Sequence, residues 1–271
     1  MGLTGIGCRR PEIASVAAAA LVLAASLALP ARAHADEISD LVERADKAFL
    51  AKTSAAVLDM EIKTKSYERS YKVVSWDDRR KTEKSLIKIL GPAMWRGYGT
   101  LKIGNQLQVY NPKTNHVSVV SSSMLGDSWM GSHFTNDDLV HQTDLARDFT
   151  LELVDKREKN SPISDRRATY YRIRMTPRPT APVAWTRIDY ELFVDGDHVV
   201  PVTAEYYRKS KKPSRTLTFS DIAAMGGRTI PTRLTVTVAD KPGEYTRITY
   251  KKLKYNADIP KSKFTEQALI E

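Results

Sequence analysis

Residues 126–140, GDSWMGSHFTNDDLV, gather side chains that could do chemistry. Gly126-Asp127-Ser128 shares a three-residue order with some esterases and serine proteases, where the serine attacks an ester or amide. An active serine needs a sharp strand-to-helix turn, a base within reach and oxyanion donors. No strand leads cleanly into a helix at Ser128, and no second block of either enzyme class occurs, so catalysis there is not expected. His133 and His141, with Asp137, Asp138 and Asp144 nearby, raise the possibility of a metal. Zinc-binding helices use spacings of three to five, and neither H-E-x-x-H nor H-x-H is present. His116 and His198 lie beside turns, and all four histidines read as surface or capping residues. Gly97-Tyr98-Gly99 lacks the helix and lysine of a phosphate loop. No catalytic, metal or cofactor site is expected.

The acids have a simpler task. Thr135-Asn136-Asp137-Asp138, followed by Leu139 and Val140, has the form of a capping box opening a short helix. Asp137 and Asp138 also suit the positive end of that helix. The residues left to explain are apolar. GPAMWRGYGTL (91–101) sets Met94, Trp95, Tyr98 and Leu101 among glycines, and the later stretch repeats the habit with Leu125, Trp129, Met130 and Phe134. Methionine and tryptophan offer adaptable, broad surfaces that suit irregular ligands such as acyl chains. These eight residues are expected to line or cover a lipid cavity; the competing reading is that they plug one end of the core.

The elements that must position them are mostly strands. In DEISDLVERADKAFLAK (36–52), Ile38, Leu41, Val42, Ala45 and Phe49 recur at spacings of three and four, which predicts one amphipathic helix. The period then changes to two. Ala56, Leu58, Met60 and Ile62 share one face while Asp59, Glu61 and Lys63 share the other, a half-buried strand. Alternating runs continue to the C-terminus, separated by turn signals such as Asn111-Pro112-Lys113, Asp195-Gly196-Asp197 and Lys241-Pro242-Gly243. About ten to twelve strands in a meandering antiparallel sheet are expected. No helical run long enough for a parallel crossover lies between them. So long a sheet must curl, because strands twist against their neighbours, and its concave apolar face needs a cover. The helix supplies one cover and residues 126–140 another.

The N-terminus predicts export. Two arginines precede the apolar run 13–29, Pro30 ends it, and Ala33-His34-Ala35 forms a small-residue cleavage site. The expected division is a cleaved signal, residues 1–35, and a single domain, residues 36–271. Cys8, the one cysteine, precedes the apolar run, so cleavage would leave no thiol for disulfides, catalysis or zinc. The net charge is +10, spread without a dense arginine block, which favours anionic membrane surfaces over nucleic acid.

GPAMWRGYGTL, QLQVYNPKTNHVSVVSSS and DSWMGSHFTNDDLV, in that order, resemble the LolA-like outer-membrane lipoprotein-sorting proteins. The shared positions of the last block are Trp129, Met130, Gly131, Ser132, Phe134, Asp138 and Leu139. APVAWTRIDYELFVDGDHVVP, with Trp185 before an Asp-Gly hairpin, fits the same pattern. The resemblance implies a mainly β fold, an incomplete, half-open antiparallel β-barrel with helices over its apolar concave face. It implies a periplasmic carrier, without enzymatic activity or cofactor, that shuttles lipoprotein acyl chains or another lipid between envelope membranes. The implied partners are that cargo, an inner-membrane transporter and an outer-membrane acceptor, with no nucleic acid, and the implied state is a monomer. An envelope-stress sensor of the same fold, binding lipoproteins and a protein partner, is the alternative. Carriers of this family latch their lid with an arginine, for which Arg79, Arg80 and Arg96 are the candidates here.

Overall fold

The computed structural model describes residues 29–140 and 144–271. The chain divides into two compact units, Met1–Glu37 and Ile38–Glu271. In the first, the described residues form the opening turns of helix α1, which spans Leu29–Lys47. The basic start, Cys8 and the apolar run as far as residue 28 lie outside the described residues, as does His141. No described helix is long and apolar enough to cross a membrane.

The second unit is built on one antiparallel sheet. Its strands are β1 (Thr53–Lys63), β2 (Glu68–Asp78), β3 (Lys84–Gly91), β4 (Gly99–Ile103), β5 (Gln106–Asn111), β6 (His116–Val119), β7 (Phe149–Asn160), β8 (Arg167–Pro177), β9 (Arg187–Asp195), β10 (His198–Tyr207), β11 (Arg215–Met225), β12 (Arg228–Val238) and β13 (Tyr245–Tyr255). Their order across the sheet is β6-β5-β4-β3-β2-β1-β13-β12-β11-β10-β9-β8-β7. The chain therefore starts mid-sheet at β1, meanders out to one edge at β6, and meanders back from the other edge at β7 until β13 pairs with β1. The edges do not pair, so the sheet curls without closing into a barrel.

This topology leaves one long connection, residues 120–148, which must pass from edge to edge. Laid flat, thirteen strands at ~4.8 Å spacing would part those edges by roughly 58 Å. The twist of each strand on the next brings them closer, and the connection runs over the concave face. It carries helices α2 (Asn136–Val140) and α3 (Leu145–Asp148). Helix α4 (Glu266–Ile270) follows β13.

Twelve strands coincide with alternating runs in the sequence. The thirteenth, β4, was hidden by Gly97 and Gly99, which made residues 91–101 look like loop throughout. Helix α1 also ends at Lys47, five residues short of the run expected to form it. Beyond that end, the Phe49 ring lies 5.9 Å from Phe219 and 6.3 Å from Tyr250. The helix buries Ile38, Leu41, Val42 and Ala45 against Phe149, Ile173, Met175, Ile188 and Leu192 of β7–β9. Leu86, Leu101 and Tyr110 pack instead with Ala257, Ile259, Phe264 and Leu269 from the C-terminal segment.

Candidate functional site

Between the sheet and residues 120–148 lies a cavity of about 730 Å³. Its wall follows from strand register, because side chains two apart share a face. Ser54, Asp77, Ser85 and Lys102 stand opposite one another on β1, β2, β3 and β4. The next row is Ala56, Ser75, Ile87 and Thr100, and the next holds Leu58 and Val73. Met60 continues β1, and all these residues line the cavity. The wall thus runs from polar to apolar along the strands. Ile248, Tyr250 and Leu253 of β13 extend it, and Asp46 of α1 faces the same space.

The cover packs against the sheet through Trp129, Met130, Phe134 and Leu139 and is tied to it by polar contacts. Trp129 is buried, and its indole N–H donates to Thr100 Oγ1 at 3.1 Å. Tyr67 Oη donates to the Gly131 carbonyl at 2.7 Å. Gly131 has φ +73°, and an added Cβ would stand 2.7 Å from that hydroxyl, so no other residue fits without displacing Tyr67. The His133 amide donates to Thr246 Oγ1 at 2.9 Å, its Nδ1 pairs with the same hydroxyl, and its Nε2 lies 3.6 Å from Glu244. Burial lowers the His133 pKa, so the ring stays neutral at neutral pH.

The expected capping box is present. Thr135 N–H donates to Asp138 Oδ2 at 2.8 Å, and Asp138 N–H donates back to Thr135 Oγ1 at 3.3 Å. Asp138 also accepts a two-pronged pair from Arg215 of β11, at 2.7 and 2.9 Å. The guanidinium lies 4.9 Å from the Trp185 ring and 4.7 Å from Tyr206. Burial opposes its charge, but Asp138 outweighs that and the Arg215 pKa is raised. That pair joins the crossing segment to β11, whereas the three arginines considered from sequence pair elsewhere. Arg79 pairs with Glu83 at 3.0 Å, Arg80 with Asp78 at 2.7 Å, and Arg96 donates to the Leu90 carbonyl at 3.0 Å.

Of the eight apolar residues singled out, Trp129 and Phe134 line the cavity. Trp95, Tyr98 and Met130 belong to the same apolar cluster without reaching the cavity wall. Leu101 sits in β4 within the cluster covered by α4, Met94 is 65% exposed, and Leu125 is half-buried in the crossing segment. The Ser128 hydroxyl donates to the Ser132 carbonyl. Among the described residues, no group of three His, Cys, Asp or Glu is placed to hold a metal.

Sequence reading missed Arg215, Asp46 and Asp77 as wall residues. The signal was available: Arg215 is in phase with Leu217 and Phe219, Asp77 with Val73, and Asp46 with Val42 and Phe49. A charge on the apolar face of an element is what marks such positions. Burial, reinforced by Asp144, raises the Asp46 pKa to about 6. Burial also raises Asp77, against hydrogen bonds from Ser85 and Ser54.

Residues 81–271 match a family model described as "-like: Uncharacterized protein". No curated protein matches the sequence. Several solved structures share the fold. A DUF1329 family protein from Desulfovibrio piger superposes with a TM-score of 0.72 at 23% identity, covering 87% of this chain and 98% of that one. A putative outer membrane lipoprotein-sorting protein domain from Vibrio parahaemolyticus gives 0.67 at 15% identity, over 86% and 98%. A LolA superfamily protein from Nitrosomonas europaea gives 0.62 at 22% identity, over 84% and 97%.

Proposed function

The chain belongs to this uncharacterized-protein-like family and carries the LolA-like fold, and on that premise we propose that it is a periplasmic carrier of lipoprotein acyl chains or another lipid. The observation that carries this reading is the cavity, about 730 Å³ of partly apolar space beneath a cover clipped on by side chains. That volume lies within the roughly 300–1,000 Å³ of small-ligand sites. Each buried methylene contributes about 0.8 kcal/mol, so a long chain inside can rival its place in a membrane.

Loading and release require the cover to move. The Arg215–Asp138 pair is the proposed latch, because it joins the crossing segment to the sheet through two hydrogen bonds that a modest free energy can exchange. The carrier performs no chemistry. Its signal is removed after Ala35, so the exported chain begins at Asp36, an outcome that mass spectrometry of periplasmic protein would register. An inner-membrane transporter hands over the cargo and an outer-membrane acceptor receives it.

The test is titration of delipidated protein with a fluorescent fatty acid. Saturable binding is expected in the parent, weakened about tenfold or more in Trp129→Ala, since a buried indole is removed from the wall. Absence of saturable binding, or unchanged affinity in the variant, would overturn the reading. Extraction and lipid mass spectrometry of the purified protein would identify the cargo.

A further inference from the structure

Every strand pair in the sheet is antiparallel, so alternate turns collect at one end. Turns 64–67, 92–98, 112–115, 178–186, 208–214 and 239–244 share the end where β7 begins, and turns 79–83, 104–105, 161–166, 196–197 and 226–227 share the other. Charge divides unequally between them. The first set carries nine Lys and Arg against two acids, Asp240 and Glu244, and the second carries four against Glu83, Asp165 and Asp197. At the second end the arginines are matched: Arg79 pairs with Glu83, Arg80 with Asp78 and Arg166 with Asp195. At the first end, among the described residues, none of the nine cations has a carboxylate within ion-pair distance. Glu244 is turned instead to the Lys65 amide, at 3.3 Å, and to His133.

The excess peaks at turn 208–214, RKSKKPS, where Arg208, Lys209, Lys211 and Lys212 are all exposed. The turn is held in place. The Ser214 amide donates to the Tyr206 carbonyl at 2.8 Å, and Thr186 Oγ1 donates to the Arg208 carbonyl at 2.5 Å. That second bond ties it to turn 178–186, whose Pro182, Val183 and Trp185 line the cavity. The Arg208 guanidinium lies 5.0 Å from the half-buried Trp185 ring. Along β1 the wall changes from Ser54 to Met60 in the direction of this same end. The apolar part of the cavity therefore reaches the rim beside its most basic turn.

We propose that this end of the sheet is a docking face for an anionic lipid bilayer, with turn 208–214 as its main contact and the apolar end of the cavity toward the membrane. The choice of a bilayer rests on the carrier reading, because a lipid cargo enters and leaves at a membrane. Each of the six turns supplies at least one cation, and such a spread suits a surface of many separate negative charges better than a single acidic groove. Four of the cations sit within five residues, the kind of cluster that anionic headgroups attract. An indole beside them, apolar over its rings and polar at its N–H, suits the boundary between headgroups and water.

The experiment is co-sedimentation of the delipidated exported protein with vesicles of phosphatidylcholine alone, or with about one-third phosphatidylglycerol added. Partitioning onto the anionic vesicles should exceed that onto the neutral ones by about tenfold or more, and should fall steeply between about 0.05 and 0.5 M NaCl. Each cation near such a surface is worth about fivefold, so the triple variant Lys209→Gln, Lys211→Gln, Lys212→Gln should lose roughly tenfold or more. A control, Lys81→Gln, Lys254→Gln, Lys261→Gln, removes the same charge from exposed positions away from this end and should change partitioning by less than about threefold. No preference for anionic vesicles, an unchanged partition in the turn variant, or equal losses in the two triple variants overturns the docking face. The first of these outcomes would assign the basic end to an acidic protein partner. The fluorescent fatty-acid titration should give the same affinity in the turn variant and the parent, because none of its three lysines lines the cavity. Vesicle binding without fatty-acid binding would sink the carrier reading and leave the face standing, so the two failures are distinguishable.

Discussion

The concave face has two covers, held by different physics. Helix α1 buries Ile38, Leu41, Val42 and Ala45 against β7–β9, each at most 6% exposed. The crossing segment 120–148 buries Trp129 and Val140 but leaves Met130, Phe134 and Leu139 partly exposed. Beside that apolar packing it is held by Arg215–Asp138, His133–Thr246, Tyr67–Gly131 and Trp129–Thr100. A buried aliphatic side chain contributes about 1.5–3 kcal/mol and resists any exchange with water. A hydrogen bond contributes a net ~1 kcal/mol, somewhat more when charged, because water competes for both partners. One cover is therefore set within the core, and the other is joined to the sheet by contacts for which water can compete.

The largest expected break in this contrast is Leu41→Ala. Loss of a fully packed leucine should cost about 2–5 kcal/mol and lower Tm by roughly 5–15 °C, measured by thermal denaturation. Proteolysis confined to residues 120–148 should not change at temperatures where the variant stays folded.

Asp46→Asn tests the acid at the junction of helix and cavity. The folded pKa of about 6 lies above the unfolded value, so the native state binds the extra proton between about pH 4 and pH 6. Stability from this group is present below about pH 4 and declines as pH rises through about 6. The variant should gain on the order of 1–3 kcal/mol at pH 8 and nothing at pH 4, as read by denaturant midpoints. A loss at pH 8 would contradict an uncompensated charge.

Arg215→Ala should do the reverse of Leu41→Ala. Cleavage within residues 120–148 under limited proteolysis should rise about fivefold or more, while Tm falls by only a few degrees, since the lost contacts are worth about 1–3 kcal/mol. Equal loss in both measurements would make the segment part of the core.

The smallest effect belongs to His133. Its lowered pKa means that the unfolded or opened state takes up the proton first. The contact is fully present above about pH 6.5 and weakens as pH falls below it. Glu244 opposes this loss and Lys241 favours it. Opening of the lid, followed by hydrogen exchange at residues 129–135, should increase by less than about tenfold between pH 7.5 and 5.5. His133→Gln should flatten the trend.

Much of this was legible in the chain. Period-two alternation marks a strand wherever one face is buried, so twelve strands stand out, and β4 escaped because its alternating residues, Thr100 to Ile103, form a short run directly behind a glycine-rich stretch. The capping box at Thr135–Asp138 was readable because its bonds are local. The Arg215–Asp138 pair was not, since its partners lie 77 residues apart, beyond what spacing can convey. The apolar loop residues divided for the same reason. Trp129 and Phe134 reach the cavity, while Leu101 follows the pleat of β4 to the opposite face.

The sequence by itself determined the class of fold, the antiparallel meander and the need for a cover, because periodicity and turn chemistry act over a few residues. Only the tertiary structure decided which strands became edges, that residues 120–148 must bridge them, and that Arg215, Asp46 and Asp77 would face one cavity. Those outcomes depend on register across thirteen strands and on the accumulated twist of the sheet, quantities set by the assembled chain and not by any segment of it.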